Sequence, residues 1–519
     1  MLQKVPLSIN RERLWLVDAV MGYRVISPAS LLLTSLVLAH GVTQAMTQKA
    51  PNVIMFLVDD MGFNDVSWRD ERMHTPNLQR LRDDGVELNQ LYMLPKCTAS
   101  RAAIMTGRYP YKTGLQSNQV FRHCKNNTLP LHLKTLPQYM KDLGYSTHAV
   151  GKWHLGFCNL SATPTHRGFD SFYGSYMGSI DNYKLEFTKG EGGYDFHFNE
   201  VPHWASKGHY STDLLTQRTQ SILKEELSGG GGEKTSPVFI YLAYTAVHDP
   251  IQSPSRYIKH TKCSHIKDPY RRKYCGMVAA VDESVGNITS TINALGLEDE
   301  FLLLFASDNG GAWAHGASNW PLRGHKGTVF EGGTRVAAFI HGKKFLPRSP
   351  YAYNGLLHGV DIIPTLVGAA GGTVRDDMDG LNAWQQLQQN VSSGRTEIVY
   401  NLDTEGEMGA IRHMNATSDF KLVYDKYEKL DGGCAGWQGE PPGAPKRPAI
   451  VPCPDYMLFD LSVDPQENDD VSNKFPAVLK QLTDRYSQLK KEEVKKPYYQ
   501  CMKMSKPHIT GGAWTHGWC

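Results

Sequence analysis

Residues 52–60 read NVIMFLVDD, a continuous apolar run that ends in two aspartates. A short strand without polar alternation indicates a sheet that is buried on both faces. Residues 238–244 and 301–306 have the same form; His248 follows the first closely, and Asp308-Asn309-Gly310 follows the second. The chain therefore predicts three core strands, each of which releases polar side chains where it ends.

Helical patterns lie between these strands. Residues 76–84 follow Thr75 and stop at Gly85, and residues 135–143 stop at Gly144. Alternating strands and helices predict an α/β body with a mostly parallel sheet. Ligands of such sheets bind at the carboxyl ends of the strands, so we expect the functional site there.

Beyond about residue 394 the sequence pattern changes. Short segments at 399–402, 420–424 and 457–461 predict antiparallel strands, and residues 476–490 predict a late helix. We therefore divide the mature chain into a catalytic α/β domain at 50–394 and a smaller C-terminal antiparallel-sheet subdomain at 395–519.

The first 45 residues have the form of a signal peptide. Arg11, Arg13 and Arg24 precede an apolar stretch at 25–39, and Thr43 and Ala45 are spaced like a signal peptidase site. An uncleaved signal anchor is the alternative, and no other segment has enough consecutive apolar residues to span a membrane. The sequence therefore predicts the secretory pathway, with lysosomal and extracellular destinations both open.

Glycosylation sequons support this interpretation, because N-glycans are added in the secretory pathway. The five sequons lie at Asn126, Asn159, Asn287, Asn390 and Asn415. The net charge of +3 is not concentrated in long runs, which leaves no electrostatic argument for a nucleic acid partner.

The cysteine count is odd, at nine. In an oxidising compartment an odd cysteine is either free or has another role, and Cys97 is our candidate for it. Cys263 with Cys275 and Cys434 with Cys453 are close enough in sequence to close local loops. The pairing of the remaining cysteines stays open; these are Cys124, Cys158, Cys501 and Cys519.

Two carboxylate-rich strand ends indicate a metal site. Adjacent carboxylates such as Asp59-Asp60 repel each other unless a cation compensates, and Asp308-Asn309 would reach the same edge of the sheet. Three carboxylates and an amide suit calcium or magnesium, whereas no His/Cys cluster has zinc-like spacing. For one Asp-Asp pair alone, a solvated turn would be the simpler interpretation.

Cys97 begins a predicted helix that ends near Gly107. A helix N-terminus presents free N–H groups and the positive end of the dipole, which suits an anion and lowers the pKa of a thiol. A buried or disulfide-bonded cysteine is the simpler alternative for a lone Cys.

Residues 97–108 read CTASRAAIMTGR, and residues 144–154 read GYSTHAVGKWH. These two segments resemble the first and second signatures of the sulfatase family. Residues 319–333, with NWPLRG, Lys326 and EGG, are similar to its third active-site region. The resemblance covers about residue 51 to the C-terminus and is nearest to the arylsulfatase B-like group, which includes N-acetylgalactosamine-4-sulfatase. One departure is Ala99, which stands where the family usually has proline.

The resemblance implies an alkaline-phosphatase-like fold and a set of site residues. It implies that Cys97 is oxidised to formylglycine by the formylglycine-generating enzyme and faces a single Ca²⁺ ion. Asp59, Asp60, Asp308 and Asn309 resemble the calcium ligands. Arg101 resembles the residue that fixes the formylglycine, and Lys152 and Lys326 resemble the lysines that hold sulfate. His154 resembles the histidine beside the formylglycine hydroxyls, and His248 resembles the histidine near the leaving group. His132, His203, His315 and His358 receive no role.

The implied reaction is hydrolysis of a sulfate ester. One hydroxyl of hydrated formylglycine attacks sulfur while His248 or Lys326 protonates the leaving oxygen, and the second hydroxyl, with His154 as base, then expels sulfate. The resemblance implies sulfated sugars of the N-acetylgalactosamine 4-sulfate type as substrates, and aryl sulfates in vitro.

Two other functions remain open. A related phosphatase or phosphodiesterase would use Ser or Thr with paired zinc ions, and the cysteine signature argues against it. A secreted binding protein could keep the fold without activity, but such a protein usually loses some of the ten site residues.

Overall fold

A mixed, mostly parallel sheet forms the centre of the protein. The computed structural model describes residues 49–116, 123–189, 191–228, 236–259, 263–375, 377–425, 454–495 and 501–519. The predicted signal peptide at 1–45 and the cysteines at 434 and 453 lie outside the described residues. Residues 50–519 form one compact unit.

The strands and helices are named in chain order. The strands are β1 (Asn52–Val58), β2 (Val86–Leu88), β3 (Leu91–Tyr92), β4 (Ser146–Gly151), β5 (Ser171–Gly174), β6 (His197–Phe198), β7 (Val201–Pro202), β8 (Val238–Ala243), β9 (Phe301–Ser307), β10 (Ala338–His341), β11 (Tyr351–Tyr353), β12 (Leu357–His358), β13 (Glu397–Asp403), β14 (Met408–Met414), β15 (Asp419–Asp425) and β16 (Tyr456–Asp460). The helices are α1 (Pro76–Asp83), α2 (Cys97–Thr106), α3 (Leu136–Asp142), α4 (Ser211–Leu227), α5 (Ser255–Lys259), α6 (Pro269–Ala294), α7 (Glu331–Thr334), α8 (Ile362–Ala369), α9 (Trp384–Gln389) and α10 (Pro476–Leu489).

The large sheet has ten strands among the described residues, in the order β11-β2-β10-β9-β1-β8-β4-β5-β6-β7. Its centre, β9-β1-β8-β4-β5, is parallel throughout, and β10 runs antiparallel to its neighbours. All seven residues of β1 are buried. Val53, Met55 and Leu57 join one apolar cluster and Ile54 and Phe56 the other, so both faces are covered, as the apolar run predicts.

A second, antiparallel sheet follows in the order β13-β14-β15-β16. This confirms the predicted C-terminal sheet, and α10 matches the predicted late helix to within one residue. The boundary between residues 394 and 395 stays a prediction. Within this four-stranded sheet, β14 is the strand that the sequence did not predict, because Arg412 and His413 interrupt its apolar pattern.

Three disulfides are present among the described residues. Cys263–Cys275 confirms one predicted local loop. The pairing that stayed open is Cys124–Cys501 and Cys158–Cys519, and both bonds join the end of the chain to segments between α2 and β5.

The remaining surface features agree with the sequence. The asparagines of all five sequons are exposed. No helix in the described ranges is long and apolar enough to cross a membrane.

Candidate active site

The carboxyl ends of four neighbouring strands supply most of the site. Asp59 and Asp60 follow β1, Asp308 follows β9, Lys152 follows β4 and His248 lies shortly after β8. Backbone hydrogen bonds extend the sheet into these turns: the N–H of Asp308 donates to the Val58 carbonyl (3.0 Å) and that of Lys152 to the Ala243 carbonyl (2.8 Å). The parallel strands therefore bring together residues that are up to 249 positions apart.

Helix α2 brings Cys97 to the same point. All ten of its residues are buried, and it ends at Gly107 in a left-handed conformation (φ 66°) that favours glycine. Cys97 is the free cysteine of the described residues, and it is buried. Its Sγ and one oxygen each of Asp59 and Asp308 lie within 4.8 Å of one another. The N-terminus of α2 therefore lies beside the carboxylates of Asp59 and Asp308.

Arg101, one turn along the helix, is fully buried. Its Nε and Nη2 donate to Asp308 Oδ2 at 3.0 and 2.8 Å, and its Nη1 donates to the Lys152 carbonyl at 3.1 Å. Burial alone would lower the pKa of the guanidinium, but Asp308 together with Tyr241, Asp59 and Cys97 outweighs it, and the net shift is upward. Arg101 therefore stays charged and fixes both α2 and the end of β4.

Two lysines face the first carboxylate pair. Lys152 Nζ lies 2.5 Å from Asp59 Oδ2, and Lys326 Nζ lies 2.7 Å from Asp60 Oδ2. Burial alone would raise the pKa of each aspartate, but the nearby cations lower it. With Arg101 on the third carboxylate, these lysines balance the charge of the buried cluster.

The oxygen atoms of the cluster fit a hard cation. Asp59 Oδ1 and Asn309 Oδ1 are buried and accept no hydrogen bond from any described residue. Asn309 Nδ2 donates to Asp60 Oδ1 at 2.8 Å, which directs the amide oxygen of Asn309 away from that contact. Buried acceptors without donors are rare in proteins, and an ion bound by carboxylate and amide oxygens would satisfy them. The predicted ligand set is thus gathered in one place.

The two predicted histidines contact different members of this cluster, His154 near Cys97 and His248 near Asp60. His154 Nδ1 is 3.5 Å from Cys97 Sγ. Burial, with Lys152, lowers the pKa of His154 well below its usual value, so the ring is neutral. His248 donates from Nδ1 to the backbone carbonyl of Asp249 at 2.7 Å, which leaves Nε2 3.7 Å from Asp60 Oδ2.

The backbone around His154 is tightly constrained. His154 has a positive φ of 54°, unusual for a residue other than glycine. A Cβ on Gly178 would lie 2.5 Å from the His154 ring, so only glycine allows this approach.

Sequence reasoning missed two residues that the fold brings to the site. Asp249 Oδ1 lies 3.1 Å from Nδ1 of both His248 and His315. Asp249 directly follows His248, a predicted site residue, and this position in the sequence could have identified it. No feature of the sequence pointed to His315, because it reaches the site only through the arrangement of the loop after β9.

Comparisons with known proteins agree with this geometry. The family model described as Sulfatase matches residues 51–372. Arylsulfatase J of Mus musculus is 37% identical over 489 residues, which cover 89% of this chain and 80% of that protein. N-acetylgalactosamine-6-sulfatase of Mus musculus is 30% identical over 321 residues, covering 58% of this chain and 59% of that protein.

A solved structure, Ps i-CgsB, has a TM-score of 0.73 and 27% identity, covering 87% of this chain and 95% of that one. It has also been solved in complex with k-i-k-neocarrahexaose. The chain belongs to the sulfatase family. It is a sulfuric ester hydrolase by family, with the predicted α/β fold and a possible metal site formed by Asp59, Cys97 and Asp308.

Proposed function

We propose that this chain hydrolyses sulfate esters with a formylglycine made from Cys97 beside a bound calcium ion. The observation that carries the proposal is the meeting of Cys97 Sγ with carboxylate oxygens of Asp59 and Asp308 within 4.8 Å. Burial and the aspartates oppose ionisation of the thiol, but Lys152 and Lys326 outweigh them, and the pKa of Cys97 is lowered. A side chain in such a field suits an anionic reaction centre better than a packing role.

Asp59, Asp60, Asp308 and Asn309 would hold the calcium ion, which would stabilise negative charge on sulfate oxygens. The protein supplies matching cations. With the aspartates holding an ion, Lys152 and Lys326 would be available to bind the other sulfate oxygens, a major source of rate enhancement. Arg101 stays on Asp308 and holds the start of α2 in position.

Proton transfers fall to the histidines. His154 is neutral and 3.5 Å from the Cys97 side chain, so it can accept a proton from a hydroxyl of hydrated formylglycine, which carries the two hydroxyls the reaction needs. His248 would give a proton from Nε2 to the leaving oxygen in its doubly protonated form. Burial and Lys326 lower the pKa of His248, whereas Asp60, 3.7 Å from Nε2, and Asp249, 3.1 Å from Nδ1, favour that form; Lys326 is the other candidate donor.

The substrate is proposed to be a sulfated sugar of the N-acetylgalactosamine 4-sulfate type, with aryl sulfates cleaved in vitro. Relatives named for aryl sulfates and for N-acetylgalactosamine 6-sulfate support this class, as does the hexaose complex of Ps i-CgsB. Because the name of N-acetylgalactosamine-6-sulfatase specifies the 6-sulfate, both the 4-sulfate and the 6-sulfate should be tested as substrates.

The maturation route is part of the proposal. The predicted signal peptide at 1–45 and the five exposed sequon asparagines support the secretory pathway, with the lysosome or the outside of the cell as the proposed destination. Cys97 is buried in the folded protein, so the formylglycine-generating enzyme has to act while the chain is still folding.

Mass spectrometry of the Cys97 peptide tests the proposal. Trypsin cuts after Lys96 and Arg101 and releases CTASR. In protein secreted from a eukaryotic cell, conversion replaces the thiol by an aldehyde, and aryl sulfatase activity should follow the converted fraction. The matched control is Cys97→Ser, which has one hydroxyl and should not turn over. An unmodified thiol in a host that converts other sulfatases, or full activity in Cys97→Ser, would refute the mechanism.

A further inference from the structure

A carboxylate lies between two imidazoles at the edge of the site. Asp249 Oδ1 is 3.1 Å from His248 Nδ1 and 3.1 Å from His315 Nδ1. The exposed fractions of the side chains rise outward, from 7% for His248 through 24% for Asp249 to 35% for His315. The three groups therefore form a short polar chain from the protein surface to the carboxylate cluster.

Both outer members are fixed by their own surroundings. Ser179 Oγ donates to the Asp249 carbonyl at 3.2 Å, and the same carbonyl accepts from His248 Nδ1. His315 ends a 3₁₀ turn, Trp313–His315, and Arg271 Nη1 donates to the next carbonyl, that of Gly316, at 2.6 Å. The contact is thus between two anchored loops.

We infer that Asp249 and His315 are positioning residues that hold the His248 ring with its Nε2 directed at the leaving oxygen of the sulfate ester. This inference rests on the proposed function, because it requires His248 to be the proton donor. One hydrogen bond from Nδ1, to the Asp249 carbonyl, leaves an imidazole free to tilt about that bond. The Asp249 carboxylate, 3.1 Å from the same nitrogen as an ion contact, restricts the tilt electrostatically.

His315 has the complementary task of holding the carboxylate. A side chain that is a quarter exposed can turn toward water, and a cationic partner on its outer side opposes that motion. Contact with Asp249 raises the pKa of His315, which favours its charged form. The pair therefore secures the ring without touching the reacting atoms.

Leaving-group dependence distinguishes this role from general stabilisation. A misaligned proton donor harms substrates whose leaving oxygen needs a proton and spares those that leave as stable anions. The experiment uses purified, converted enzyme and a series of phenyl sulfates from nitrophenyl to methoxyphenyl. The variants are His315→Gln, Asp249→Asn and the double variant, and His209→Gln, an exposed histidine, is the matched control.

For either single variant we expect kcat/KM to fall about tenfold at the methoxyphenyl end and less than about twofold at the nitrophenyl end. The double variant should be no worse than the poorer single one, because both substitutions act through one ring. Formylglycine content and thermal stability are measured for each variant, and His209→Gln should match the wild type throughout.

The outcomes separate two failures. If converted wild-type enzyme cleaves no member of the series, the proposed function fails. If the wild type is active but the variants lose activity equally across the series, or lose none, His315 and Asp249 do not position a proton donor and the inference is overturned.

Discussion

Replacing Lys421 by methionine should leave two carboxylates in the protein interior without their cationic partner. Lys421 is fully buried on β15, with Nζ 2.9 Å from Glu331 Oε1 and 2.8 Å from Glu467 Oε1. Tyr92 also donates to Glu331, at 2.7 Å, and the N–H of Glu331 donates to Glu467 Oε2 at 2.7 Å. Methionine keeps the length of the side chain and removes its charge, so the effect on packing is small.

The magnitude follows from the burial of the pair. Removing one partner of a buried ion pair destabilises a protein by about 3–5 kcal/mol. Glu331 keeps its tyrosine, so we expect the lower part of that range. The loss is a large fraction of the about 5–15 kcal/mol that separates folded from unfolded domains.

The loss should depend on pH. Burial raises the pKa of Glu467 to about 7 even with Lys421 present, and removing the lysine raises it further. An unfolded glutamate titrates at about 4.3, so in both proteins the native state binds an extra proton between this value and the folded pKa. Relative to the wild type, the variant is therefore destabilised fully above its own raised folded pKa, and the difference fades as the pH falls toward about 7, below which Glu467 is protonated in both native states.

Urea unfolding, followed by tryptophan fluorescence at about pH 6 and about pH 9, measures both quantities. The matched control is Lys480→Met, whose i,i+4 pair with Asp484 is exposed and should contribute less than about 0.5 kcal/mol. Adding Glu467→Gln to Lys421→Met should recover part of the loss at the higher pH. A Lys421→Met variant as stable as the control, or equally destabilised at both pH values, would contradict the reasoning.

Two further predictions concern the site and its support. Asn309→Ala removes one oxygen of the proposed metal site and the donor to Asp60. The calcium concentration for half-maximal activity, measured by chelation followed by titration with calcium, should therefore rise at least about tenfold. An unchanged calcium requirement would exclude Asn309 as a ligand. Burial raises the pKa of Asp195 to about 7, so the native state gains a proton between about pH 4 and pH 7 and this residue's contribution to stability falls as the pH rises through that window. Asp195→Asn, which loses the acceptor for the N–H of Met177, should be destabilised by about 1 kcal/mol at acidic pH and by less at neutral pH; a difference that grows with pH would show that Asp195 is ionised.

The sequence predicted those parts of the fold whose signal is local. Strand β1 is apolar from Val53 to Val58 because both faces are buried, so the run itself identified it. The apolar runs of β8 and of β9 from Phe301 to Ala306 identified those strands in the same way. Polar residues that directly follow such strands could therefore be assigned to the site edge from the sequence alone. Local patterns also identified the Cys263–Cys275 loop.

Contacts that depend on two distant segments could not be predicted in this way. His315 lies in a loop without strand or helix pattern, and its proximity to Asp249 depends on where the loops after β8 and β9 meet. Lys421 looks like an exposed residue on an alternating strand, yet it is buried because the C-terminal sheet packs against the segment that carries Glu331. That charge partner comes from 90 residues earlier in the chain.

The buried charge cluster gives the C-terminal sheet a role in the site. Glu331 begins α7, and the residues that follow it contact the turn Asp308-Asn309-Gly310 of the candidate site. There the N–H of Gly310 donates to the Gly333 carbonyl at 2.9 Å. A Cβ on Gly310 would lie 1.9 Å from the Gly332 carbonyl oxygen, so the two segments pack in direct backbone contact at this point. Since Lys421 holds Glu331, the position of Asn309 depends on a lysine in the second sheet. We therefore expect the antiparallel sheet to support the candidate site, and truncating it should disturb the site although none of the predicted ligands lies in it.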